Sequence, residues 1–108
     1  MEILRYLTEA GKDVFGDWLA GLRDTRTRAK IAARIARLAA GNFGDCKPLQ
    51  DGVWELRIRW GPGYRVYCAH ADRTCVLLLC GGDKRSQSAD IERATEYWND
   101  YKRRTGKR

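Results

Sequence analysis

The residues best suited to chemistry gather around one turn. Arg57 and Arg59 precede Gly61-Pro62-Gly63, and Arg65 and Tyr67 follow it. If the chain folds back symmetrically about Pro62, Arg59 lies opposite Arg65 and Arg57 opposite Tyr67, all on the face away from Trp54, Leu56 and Ile58. Like charges facing each other across two strands are destabilising, so folding alone predicts something else at Arg59 and Arg65. A bound anion resolves that conflict. A phosphodiester is the natural one: guanidinium groups hold phosphate bidentately, and fixed cations favour a bulky anionic transition state over its ground state. Tyr67 adds a ring for base stacking or a phenol for proton transfer. The competing structural reading pairs Arg57 with Glu55 or another surface carboxylate.

Lys84 sits in Gly81-Gly82-Asp83-Lys84-Arg85, where an apolar run ends, and could approach the same face. The segment lacks the G-x-x-x-x-G-K-[ST] spacing of a phosphate loop, so nucleotide hydrolysis finds no support. His70 ends its strand beside a turn and reads either as a plain surface histidine or as a general base. The four cysteines, Cys46, Cys68, Cys75 and Cys80, include no C-x-x-C pair, and His70 is the single histidine. That argues against a zinc site and for reduced core thiols.

Charge supports contact with a phosphate polymer or an acidic partner: 21 Lys+Arg against 14 Asp+Glu give a net +7. With 108 residues and 44% hydrophobic content, one compact domain over residues 1–108 is expected. No stretch approaches the ~20 apolar residues of a membrane span, and the start has no basic region followed by a long apolar run. A soluble cytoplasmic protein is the expectation.

Elements that must position these residues follow from periodicity. Ile3–Leu7 reads as a strand. Val14, Phe15, Trp18, Leu19 and Leu22 recur at helical spacing within a first helix over Lys12–Leu22. Asp24 and Thr25 offer N-cap chemistry for a second helix over Arg26–Ala40, closed by Gly41 and Asn42. Its Ile31, Ile35 and Leu38 form a core stripe, with Arg26, Lys30, Arg34 and Arg37 on a neighbouring basic one. Trp54, Leu56, Ile58 and Trp60 alternate with Glu55, Arg57 and Arg59, and Tyr64–Ala69 continues as the second strand of a hairpin. Val76–Cys80 is apolar throughout, as a strand covered on both faces must be. Ser86 or Ser88 can cap a last helix with Ile91, Ala94, Trp98 and Tyr101 inward and a fraying basic end over Lys102–Arg108. The sum is an α+β fold, two N-terminal helices and a C-terminal helix packed with an antiparallel-dominated sheet.

These segments resemble a known family. Trp18-Leu19 with Leu22, Arg34-Ile35-Ala36-Arg37-Leu38, Gly41-Asn42-Phe43-Gly44-Asp45, Val53-Trp54-Glu55-Leu56-Arg57, Gly61-Pro62-Gly63-Tyr64-Arg65-Val66-Tyr67 and Gly81-Gly82-Asp83-Lys84 with Gln87, Asp90-Ile91 and Ala94 are similar to the RelE/ParE toxins, in their phage-derived addiction-module killer, or HigB-like, branch. The match runs in one order from about Phe15 to Trp98. The resemblance implies a RelE-like fold, an antitoxin of the helix-turn-helix type and ribosome-dependent, metal-independent cleavage of mRNA without a cofactor. The nucleophile would be the ribose 2′-hydroxyl.

Carried over residue by residue, Arg65 would stand at the scissile phosphate, and Arg57 and Lys84 match basic positions of the same sheet face and the following loop. The residues' own placement adds Tyr67 to this catalytic set and makes Arg59, Arg85 and Tyr64 the expected RNA contacts. The tyrosine that the RelE pattern places after the last basic loop is missing, since Gln87, Ser88 and Asp90 stand there. That leaves Tyr67, Asp90 or His70 as general base. The alternatives are a ParE-like inhibitor of DNA gyrase, needing no catalytic residues, and a simple nucleic-acid-binding module, for which Tyr64 and Tyr67 are a narrow aromatic platform. An antitoxin would cover the basic face, or else occupy an apolar groove between the first two helices.

Overall fold

The computed structural model describes residues 1–106. Eight elements follow in order: β1 (Glu2–Arg5), α1 (Val14–Gly21), α2 (Thr25–Ala39), β2 (Cys46–Pro48), β3 (Val53–Ile58), β4 (Tyr64–Asp72), β5 (Cys75–Asp83) and α3 (Gln87–Thr105). Each early helix begins at an aspartate. Asp13 accepts from the Gly16 amide at 2.9 Å and Asp24 from the Arg26 amide at 3.0 Å, satisfying donors that a helix start leaves open. α2 ends as expected: Gly41, at φ +90°, donates to Leu38 and Asn42 donates to Arg37, both at 2.9 Å, a Schellman closure.

The strands form one mixed sheet in the order β1-β5-β4-β3-β2, with β1 parallel to β5 and the other pairs antiparallel. This is the expected α+β architecture. β2 was not foreseen; it is a three-residue edge strand, where Pro48 is tolerated. The helices divide between the two faces of the sheet. α1 and α2 cover one, with Phe15, Ile31 and Leu38 against Leu56, Val66 and Leu78. α3 covers the other, with Ala94 and Trp98 against Tyr67, Ala69, Leu77 and Leu79. Each fully buried Leu or Ile stabilises by about 1.5–3 kcal/mol.

β5 is buried at every position from Cys75 to Gly82, so the expectation of a strand covered on both faces holds. It does not break at Gly81 but runs on to Asp83. A bulge opposite Tyr67 and Cys68 turns Leu79 and Cys80 toward the α3 side and so sets which way the two glycines beyond them face. The basic end of α3 is docked rather than frayed as far as Thr105. Arg104 bonds Asp100 and donates to the Leu7 carbonyl, and Asp100 accepts from the Tyr6 hydroxyl at 2.6 Å. Lys107 and Arg108 of that expected basic end lie outside the described residues. Among the described residues, no helix is long and apolar enough to cross a membrane.

Candidate functional site

The hairpin that carries the arginines is centred one residue earlier than symmetry about Pro62 predicts. Arg57 faces Arg65, Glu55 faces Tyr67 and Ile58 faces Tyr64. The cause lies in the turn. Arg59 and Trp60 leave the ladder: Arg59 donates to Asp45 at 3.0 Å, Trp60 Nε1 donates to Thr27 on α2 at 3.2 Å, and the Gly63 amide closes onto the Trp60 carbonyl at 3.1 Å. Arg59 therefore does not oppose Arg65, and its side chain is 84% exposed.

Arg57, Arg65 and Tyr67 do share the sheet face away from Leu56 and Ile58, and Glu55 shares it with them. This carboxylate is 0% exposed, accepts from Arg57 Nε at 3.0 Å and from Gln87 Nε2 at 2.9 Å, and lies 3.5 Å from Arg65 Nε. The arginine pair thus has an internal counter-ion, and its mutual repulsion does not by itself require a bound anion. A lone carboxylate alternating with arginines was the available signal. The competing reading, in which Arg57 pairs with Glu55, is what the structure shows, but the carboxylate is buried rather than at the surface, because period-two patterning cannot tell which face a helix later covers.

Tyr67 is fully buried, so it offers no platform to a base. Burial first, then the nearby Glu55 and Asp90 carboxylates, push its phenol well above the usual range, with Arg65 opposing. Its hydroxyl, like Arg65 Nε and Nη1, is buried without a hydrogen-bond partner. Asp90 is likewise fully buried. It accepts from Ser86 Oγ at 2.5 Å and from Arg93, and it packs so closely on β5 that a Cβ at Gly82 would lie 1.8 Å from Oδ2. It braces α3 against the sheet and is not presented to a substrate. His70 stands on the opposite face beside Phe43 and Trp54, with ring centroids 5.4 and 6.4 Å away. The three candidate general bases are not brought to one accessible point.

Two adjoining clefts are open. The smaller, of about 240 Å³, is lined by Arg57, Ile58, Arg59, Gly63, Tyr64 and Arg65. It gathers four of the residues singled out from sequence. The Arg65 side chain is 14% exposed. Lys84 is exposed beside the rim, its amide donating to the Gly63 carbonyl at 3.0 Å. Arg85 pairs with Asp83 at 2.9 Å and lines neither cleft. The larger cleft, of about 490 Å³, shares Arg57, Ile58 and Arg59 with the first and continues to α2.

Arg34 departs from the expected basic stripe. It is 2% exposed and gathers the carbonyls of Phe43, Asp45 and Arg57, strapping the 42–45 loop and the end of β3 onto α2. Burial first, then neighbouring Arg37, lowers its pKa. None of the four cysteines is joined in a disulfide, with Cys68, Cys75 and Cys80 buried and Cys46 half-buried. Burial raises Cys68 and Cys80 to about 12, which keeps them protonated and inert. Among the described residues, no group of three or more His, Cys, Asp or Glu side chains could hold a metal.

Comparison with known proteins places these features in a lineage. The family described as "Phage derived protein Gp49-like" matches residues 17–98, a span that contains both clefts. A protein of Haemophilus influenzae described as uncharacterized is 54% identical over 80 residues, covering 74% of this chain and 81% of the relative.

Proposed function

The chain belongs to the phage-derived Gp49-like family, and we propose that it is the toxin of a type II toxin–antitoxin pair, a RelE-like endoribonuclease that cuts mRNA on the ribosome. The observation that carries this reading is the pairing of Arg57 with Arg65 across two strands, both lining one small cleft with Tyr64. A scissile phosphate in that cleft meets two guanidinium groups, with Lys84 at the rim. The 2′-hydroxyl oxygen attacks the adjacent phosphorus, a 2′,3′-cyclic phosphate forms, and the 5′-oxygen leaves and takes up a proton. The cations stabilise the extra negative charge of the pentacoordinate state. No metal or organic cofactor enters the scheme. Tyr67 is buried and cannot take that proton, and the Tyr64 ring packs toward Trp18 on the opposite face of the sheet, so water in the open cleft accepts the 2′-hydroxyl proton and supplies one to the leaving 5′-oxygen. The partners are the ribosome with its mRNA and a cognate antitoxin of the helix-turn-helix type, and the work is cytoplasmic.

A ParE-like inhibitor of DNA gyrase is the second reading. It is favoured by Glu55, which offsets one of the two positive charges of the arginine pair, and by the absence, among the described residues, of a carboxylate or histidine lining the small cleft. Translation in vitro with purified protein separates the two. Primer extension should reveal cuts only when ribosomes are present, while a parallel gyrase supercoiling assay stays unaffected. Poisoned gyrase with intact message reverses the assignment.

A further inference from the structure

The larger cleft is not accounted for by cleavage at Arg65. Its walls bring together Lys30 and Arg37 of α2, Arg59, Trp60 and the buried Arg34, against, among the described residues, a single carboxylate, Asp45, already taken by Arg59. Arg34 lies beneath the floor with three carbonyls as partners, no carboxylate, and Nη1 unpartnered. A cation desolvated in this way keeps a positive potential over the opening above it. Trp60 is fixed by its bond to Thr27, and Lys30 Nζ lies 4.9 Å from its ring centroid. The volume, about 490 Å³, lies within the roughly 300–1,000 Å³ of small-ligand sites.

We propose that this cleft is a nucleotide subsite for single-stranded RNA, with a base stacked on Trp60 and a backbone phosphate held by Arg37 and Arg59. The base displaces Lys30 from the ring and leaves its ammonium free to pair with phosphate. Because the two clefts share Arg57 and Arg59, a strand whose scissile phosphate lies at Arg65 reaches Trp60 by crossing the end of β3. The proposal rests on the RNA-cleaving reading and adds where the flanking nucleotide is held.

The test is fluorescence anisotropy of a labelled, uncleavable 2′-O-methyl RNA hexamer with the full chain. Arg37→Ala should lower the slope of log affinity against log salt by about 0.7, the effect of one lost single-strand phosphate contact. Trp60→Leu should weaken binding by about tenfold, the scale of one stacked base. Arg73→Ala, an equal loss of charge in the distant β4–β5 turn, should do neither. The subsite is overturned if the hexamer fails to bind at low salt, or if Arg37→Ala matches Arg73→Ala. It is also overturned if folded Trp60→Leu keeps full affinity. Should Trp60→Leu misfold, the Arg37 comparison decides, since that side chain is exposed. Binding with these signatures but without ribosome-dependent cutting sinks the ribonuclease reading and leaves the subsite standing.

Discussion

Arg57 and Arg65 face each other directly across the β3–β4 ladder, and the buried carboxylate of Glu55 lies against both. Removing that carboxylate leaves two facing cations with no internal counter-ion. Glu55→Ala should therefore destabilise the fold by about 3 kcal/mol, and Glu55→Gln by less, because the amide still offers an oxygen. Urea unfolding at neutral pH measures this. Unchanged stability in Glu55→Ala would show that the pair needs no internal counter-ion.

Arg34 invites the same experiment at the other cleft. Arg34→Met keeps the apolar stem but orphans the carbonyls of Phe43, Asp45 and Arg57, so a loss of about 3 kcal/mol is expected, with faster amide exchange in the 42–45 loop. A stable variant with an unaltered loop would mean that the strap is dispensable.

High pH should weaken the fold, and the sign follows from the thiols. Cys68 and Cys80 are raised by burial from an ordinary 9.0 to about 12, and Tyr6 from 10.0 to about 12 by burial and its bond to Asp100. The unfolded chain therefore loses these protons first. Their contribution is whole below pH ~9 and is lost progressively as pH climbs toward ~12. The urea midpoint should fall between about pH 8 and pH 10.5, with the buried thiols unreactive until unfolding. A flat or rising midpoint contradicts the burial of these groups.

How much of this was legible in the sequence differs between fold and site. The helices were readable because the apolar spacing of Val14, Phe15, Trp18, Leu19 and Leu22 and the end signals Asp24 and Gly41 act within a few residues, and β5 because its apolar run fits a strand covered on both faces. The hairpin register was not readable. It depends on Trp60 reaching Thr27 and Arg59 reaching Asp45, contacts between residues 33 and 14 positions apart. Burial of charge was hidden for the same reason. Glu55 and Asp90 look solvent-facing until α3 is laid over the sheet, and Arg34 looks like one more member of a basic stripe until the 42–45 loop folds under it. The cation cluster was found by residue type. A pairing of Glu55 with Arg57 was open to the sequence, but that the same carboxylate is buried and also reaches Arg65 appears only in three dimensions.

Antitoxin binding should depend on salt if the partner covers the basic clefts, with affinity falling as ionic strength rises. The alternative seat is the apolar groove of about 320 Å³ between α1, α2 and β1, walled by Phe15, Leu19, Ile35 and Leu78. Titration calorimetry at two salt concentrations separates them, since affinity indifferent to salt assigns the partner to that groove.

The central claim is that Arg65 stabilises charge at a phosphate being cut, and the direct measurement is the rate of ribosome-dependent mRNA cleavage by Arg65→Ala, read by primer extension. Loss of one charge-stabilising donor at such a site should lower the rate by ~10²–10³-fold, with smaller losses for Arg57→Ala and Lys84→Ala, while circular dichroism shows each variant folded. Full cleavage or undiminished toxicity in folded Arg65→Ala would contradict the claim.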